Sequence, residues 1–98
     1  MPYYPKNKYN LLGFDVSDKP LKKYYATLEN KKTGRNIKVY FGGIKPNGTP
    51  YSQYQDKIGY YTKYNHYDIK RRGRYRKRHK NDINKAYSPS WFSLKYLW

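Results

Sequence analysis

The chain has no cysteine among its 98 residues. Disulfides and thiolate metal sites are therefore excluded, and the redox compartment is left open. It has no run of 18 apolar residues, so no segment is expected to span a membrane. The opening stretch MPYYPKNKYNLLGF lacks a long apolar core and does not read as a secretory signal. Carboxylates are few: Asp15, Asp18, Glu29, Asp56, Asp68 and Asp82, with no close pair in sequence. His66 and His79 stand thirteen apart, which is not a metal-ligand spacing. His66 and Asp68 beside Arg71 suit a small nuclease-like site, yet Asp68 pairing with Arg71 or Arg72 one turn later accounts for them more simply. Gly42-Gly43 does not make a Walker or dinucleotide loop. Without convergent acid, base or metal groups, the chain is expected not to be an enzyme. No cofactor, metal or small-molecule substrate is expected.

Aliphatic side chains are scarce as well. Hydrophobic residues make up 37% of the chain, but 15 of them are Tyr. A tyrosine buries its ring and keeps its hydroxyl paired or wet. At this length one domain is the limit. A small core rimmed by tyrosines is expected, or one completed against a neighbour.

What the chain has is positive charge, +16 net. Self-repulsion on that scale favours an acidic partner: nucleic acid, an anionic membrane surface or an acidic protein face. The charge is uneven, with +6 over residues 1–40, +1 over 41–69 and +9 over 70–98. Lysines are spread along the chain, whereas five of the six arginines fall between Arg71 and Arg78. The guanidinium fork grips phosphate or carboxylate bidentately, so its concentration points to an anionic ligand. The candidate anion-binding residues are Lys70, Arg71, Arg72, Arg74, Arg76, Lys77, Arg78 and Lys80. Tyr60, Tyr61, Tyr64, Tyr67 and Tyr75 lie close by and offer rings for stacking on bases or sugars.

Along the chain, Pro2 and Pro5 push the N-terminus toward extended geometry, so residues 1–20 read as an arm. Within it, Leu11–Val16 is an apolar patch able to tack onto the body. Residues 21–98 read as one small domain. Lys22–Glu29 and Arg35–Gly42 read as strands, since Ile37, Val39 and Phe41 alternate with Asn36, Lys38 and Tyr40. NKKTG between them ends in Gly, as a hairpin loop does. Gly43–Gln55 carries Pro46, Asn47-Gly48 and Pro50 and reads as irregular loop. Ile58–Tyr64 is a short third strand or more loop. His66–Asn81 reads as a helix with Asp68 in its first turn, although Gly73 weakens it and no continuous apolar stripe supports it. Asp82–Lys85 is a polar link. Ser88-Pro89 is an N-cap with Pro at the first helical position, opening a helix to Trp98. Trp91, Leu94 and Trp98 are its packing or interface residues. The fold class is therefore α+β, a short antiparallel sheet with a basic helical segment and a C-terminal Trp helix.

The pattern His66-x-Asp68-x-x-Arg71-Arg72-x-Arg74-Tyr75-x-x-Arg78-His79 resembles a family of small basic proteins of nucleocytoplasmic large (giant) DNA viruses, a domain of unknown function. Lys22–Glu29, Phe41-Gly42, Gly59-Tyr60-Tyr61-Thr62 and Ser90-Trp91 through Leu97-Trp98 fill the family's other places, over roughly residues 20–98. The resemblance implies a virion location, with host cytoplasm or nucleus during assembly. On that footing the expected role is a non-catalytic structural one, as a minor capsid or internal virion protein. Such a protein bridges other virion or capsid proteins through Tyr/Trp contacts and the Arg/Lys cluster. The alternative is a non-specific DNA- or RNA-binding protein that condenses viral DNA through its phosphates.

Overall fold

The computed structural model describes residues 4–98. Three antiparallel strands form one meander: β1 (Tyr9–Val16), β2 (Lys22–Asn30) and β3 (Asn36–Gly43), in the order β1-β2-β3. Two helices follow, α1 (Ile69–Arg78) and α2 (Pro89–Tyr96), with short 3-10 turns at Thr62–Tyr64 and Lys80–Asn84. The α+β class read from sequence is the one observed.

The β2–β3 hairpin forms as its pattern predicts. Asn30 Oδ1 accepts from the backbone N–H of Lys32 and Thr33, and Gly34 takes φ +74°, where a side chain is disfavoured. Register places Leu28 opposite Ile37, Ala26 opposite Val39 and Tyr24 opposite Phe41. One face of the sheet is thus apolar. The other carries Tyr25 against Tyr40, with Lys38 and Lys19 over their rings.

The expected arm is corrected over Tyr9–Val16. Tyr9–Val16 is a strand on the edge of the sheet, with Leu11 opposite Leu28 and Phe14 opposite Ala26. A bulge at Leu12 separates Leu11 from Gly13, so strict alternation is broken and the strand looks like a mere apolar patch. Even Tyr4 is tied down, its N–H donating to Ala86 O at 2.9 Å and its ring meeting Tyr9 edge-on. Met1, Pro2 and Tyr3, the start of that arm, lie outside the described residues.

The second helix closes the apolar face. Ser88 Oγ accepts from Trp91 N–H, Pro89 occupies the first turn, and Trp91, Phe92 and Leu94 are buried. Phe92 stacks on Phe41 and meets Phe14 edge-on. Tyr24, Ala26, Leu28, Val39, Phe41, Tyr87, Trp91, Phe92 and Leu97 form one core. Trp91 and Leu94 therefore serve inside the domain. The core is small and aromatic, as the composition requires, and closes within this chain.

Ile58–Tyr64 forms no strand. It wraps around the carboxylate of Asp56, which is buried and accepts from Tyr24 Oη and from the backbone N–H of Ile58, Gly59 and Tyr61. A buried carboxylate that takes four donors fixes a turn rather than an extended segment.

A basic cleft as candidate functional site

The basic stretch is helical over Ile69–Arg78, within the predicted span. Its start is fixed by Asp68, whose side chain accepts from the N–H groups of Lys70 and Arg71 at 3.0 and 3.2 Å. Asp68 is thus an N-cap and not the ion-pair partner of Arg71 or Arg72 that its spacing suggested. Its own N–H donates to His66 Nδ1 at 2.8 Å, so the His66 proton sits on Nε2. Burial, and then the charge of Arg71, hold this imidazole below its ordinary pKa. His66 Nε2 has no hydrogen-bond partner among the described residues, and the ring lies 5.1 Å from that of Trp98. The two groups are committed to capping and packing and make no acid–base pair.

The helix divides its cations between two faces. Arg72 and Arg76, one turn apart, point at the C-terminal end of α2. Arg72 Nε donates to Trp98 O at 2.8 Å, Arg76 Nε to the same oxygen at 3.2 Å, and Arg76 Nη2 to Leu94 O at 3.3 Å. Lys57 N–H and Gln55 N–H donate to Tyr96 O and Leu97 O. Carbonyls that a helix end leaves orphaned are thereby paired. Arg72 also lies 4.8 Å over the Tyr54 ring. These two candidate anion-binding arginines tie α1 to the end of α2.

Arg71, Arg74 and Arg78 recur at helical spacing on another stripe, with Lys77 beside them, and all four are exposed. They line a cleft of about 610 Å³ whose other walls include Lys23, Gly42, Tyr51, Ser52 and Tyr75, with Leu97 and Trp98 just after α2. No Asp or Glu lines it. Among the described residues the ion pairs are those of Asp82 with His79 and Lys85, so none of these arginines is neutralised. Lys70 is exposed outside the cleft, and Lys80 lines a smaller depression with Arg76, Ile83 and Leu94.

The five candidate tyrosines are not equivalent. Tyr60 and Tyr67 are exposed, Tyr67 at φ +54°. Tyr61 packs edge-on against Tyr24 at the core, and Tyr64 is half-buried beside it. Tyr75 stacks on Trp98 at 4.3 Å and 7°, forming one wall of the cleft. Burial pushes its phenol up. Trp98 is thus a cleft residue as well as a packing residue.

Two residues that the sequence reading passed over, Lys23 and Gln53, shape the floor. Lys23 is 1% exposed, and its Nζ donates to Tyr51 O at 2.6 Å and Gln53 Oε1 at 2.5 Å. Gln53 Nε2 donates to Tyr61 O and Asn65 Oδ1, which also accepts from Asp56 N–H. This network fixes Tyr51 and Ser52 at the cleft, where Ser52 Oγ accepts from Arg71 Nη2 at 3.1 Å. Gly42 is needed here. It sits at φ +78°, and a Cβ on it would lie 3.0 Å from Lys23 Cβ and 3.2 Å from Leu97 Cδ1. Burial pushes the Lys23 amine down to about 8, the negative Asp56 opposing.

Among the described residues there is no group of His, Asp and Glu placed to hold a metal, and no helix long and apolar enough to cross a membrane. No family model, curated protein or solved structure matches the chain.

Proposed function

We propose that the protein binds a polyanion, and that the ligand is the phosphate backbone of a nucleic acid. The observation that carries this reading is the stripe of Arg71, Arg74, Lys77 and Arg78 along a cleft that no Asp or Glu lines. Guanidinium groups without an Asp or Glu partner among the described residues are available for bidentate contact with phosphate oxygens. Phosphate contacts carry no sequence information, so binding follows charge rather than sequence.

The test is duplex-DNA affinity across a salt series for the wild type and for a variant with these four residues changed to Gln. Four phosphate contacts give a slope of about 3.6 in log K against log salt. A rise from 50 to 200 mM salt then weakens the wild type about 150-fold through these contacts alone. The variant loses that slope. Weak wild-type binding at physiological salt, or a slope unchanged in the variant, refutes the reading.

A second reading is a structural protein of a large DNA virus particle that docks on an acidic face of a neighbouring subunit. It is favoured by Leu12, Val16 and Leu21, which are 53%, 43% and 50% exposed on or beside the edge strand β1. In that case the protein stays with the shell in fixed stoichiometry after the genome is removed. A DNA-bound protein leaves with the genome.

A further inference from the structure

Lys23 is the one lysine that the fold hides, and the way it is hidden has chemical content. A lysine normally keeps its ammonium in water, and burying that charge without a carboxylate is costly. Here the amine faces two acceptors, Tyr51 O and Gln53 Oε1. A neutral amine has two N–H groups and one lone pair. Two acceptors use both N–H groups and leave the lone pair. A desolvated lysine close to other cations is the usual form of an amine nucleophile. Arg71, Arg74, Lys77 and Arg78 line the same cleft.

The second observation is the placing of an anion site beside this amine. Tyr51 and Ser52 are consecutive. Tyr51 O accepts from Lys23 Nζ, while Ser52 Oγ accepts from Arg71 Nη2. Amine and guanidinium therefore hang on neighbouring residues, whose Cα atoms are about 3.8 Å apart. A cleft of about 610 Å³ is of the size that holds small molecules.

We propose that the cleft captures a small phosphorylated aldehyde, with its phosphate on Arg71 and Arg74 and its carbonyl carbon bonded to Lys23 Nζ as an imine. The lone pair of Nζ attacks the carbonyl carbon, and the carbonyl oxygen takes the proton released by the nitrogen. The carbinolamine then loses one water to leave a C=N bond, with no change of oxidation state. This departs from the sequence-based expectation of no small-molecule ligand. It shares cations with the nucleic-acid reading but does not depend on it, because imine formation and DNA affinity are measured separately.

Pyridoxal 5′-phosphate is the probe. The full-length chain is incubated with it at mildly alkaline pH and reduced with borohydride, and the adducts are mapped by peptide mass, with circular dichroism checking that the protein stays folded. Lys23 is 1% exposed, so non-specific labelling marks the exposed lysines and spares it. The expected result is a dominant adduct on Lys23, suppressed by inorganic phosphate. In a variant with Arg71→Gln and Arg74→Gln the Lys23 adduct falls about tenfold or more, the effect of losing one charge-assisted hydrogen bond. Pyridoxal without the phosphate labels Lys23 no better than surface lysines. The proposal is overturned if Lys23 stays unmodified while exposed lysines react. It is also overturned if the Lys23 adduct is indifferent to phosphate and to the Arg71/Arg74 change. Both arginines are exposed, so this variant tests the site without removing Lys23 from the core.

Discussion

Changing Arg72 and Arg76 together to Gln separates the two jobs of the basic helix. The double change removes three hydrogen bonds from charged donors to the main-chain oxygens of Trp98 and Leu94, and the contact of Arg72 with Tyr54. Hydrogen bonds to charged groups contribute about 1.5–3 kcal/mol each when buried. Both side chains here are half-buried, so about 1 kcal/mol per bond is the appropriate scale. The expected loss is about 3 kcal/mol, out of about 5–15 kcal/mol for a domain of this size. In a thermal melt that is a fall of about 12–24 °C. The matched variant, with Arg71, Arg74, Lys77 and Arg78 changed to Gln, removes one exposed bond to Ser52 and one ring contact. Its stability is expected to stay within about 1 kcal/mol of wild type, since such surface changes are small and relieve like-charge repulsion. Urea denaturation with a constant m-value reads both. The division of labour is refuted if the Arg72/Arg76 variant is as stable as wild type, or if the cleft variant loses as much.

Two further perturbations test the network beneath the cleft. Asp56→Ala strips an acceptor from Tyr24 Oη and three backbone N–H groups in a buried site, and is expected to cost about 3–5 kcal/mol; a loss under about 1 kcal/mol by urea midpoint sinks the claim that this carboxylate organises residues 56–61. Lys23 makes stability pH-dependent, because its amine is held at about 8 in the fold against an ordinary 10.5. Below pH 8 both states are protonated and the burial penalty is fully present. Between about pH 8 and 10 the unfolded chain holds more protons, so stability rises with pH, by at most about 1.4 kcal/mol per unit. Above about pH 10 the trend reverses through Tyr24, whose phenol is raised by burial and then by Asp56 and stays protonated longer in the fold. Urea midpoints at pH 7 to 9.5 should climb for wild type and stay flat for Lys23→Met; equal slopes exclude a buried neutral amine.

Local signals carried the elements whose determinants are adjacent in sequence. The alternation of Ile37, Val39 and Phe41 with the NKKTG loop marks the hairpin, and Ser88-Pro89 marks the start of α2. The first strand was hidden by one residue. Leu12 is the bulge, and its insertion throws Tyr9, Leu11 and Phe14 out of strict alternation, so that they read as an arm with an apolar patch. Residues 51–65 were unreadable for another reason. Their shape is set by side chains of Lys23, Tyr24 and Asn65, far away in sequence or irregular in setting, and no period records such a network.

The candidate site was half legible for reasons that follow from helix geometry. The arginine cluster shows in composition, and its two stripes are implicit in the spacing once the segment is taken as a helix. Arg72 and Arg76 are four apart, while Arg71, Arg74 and Arg78 follow three and four apart. Which stripe meets protein and which meets solvent depends on where the carbonyls of α2 fall, and only the tertiary fold decides that. Lys23 is the extreme case. Alternation along β2 puts it on the face opposite Tyr24, Ala26 and Leu28, where a lysine in a chain of net charge +16 is expected to be solvated. It is covered because Gly42 and Gly43 at the end of β3 have no side chains to stand in the way, and because Tyr51–Gln53 closes over the gap. The Gly42-Gly43 pair was therefore a signal for the site after all. It makes room for a buried amine, where a phosphate loop would have used glycine to bring its backbone close to the ligand.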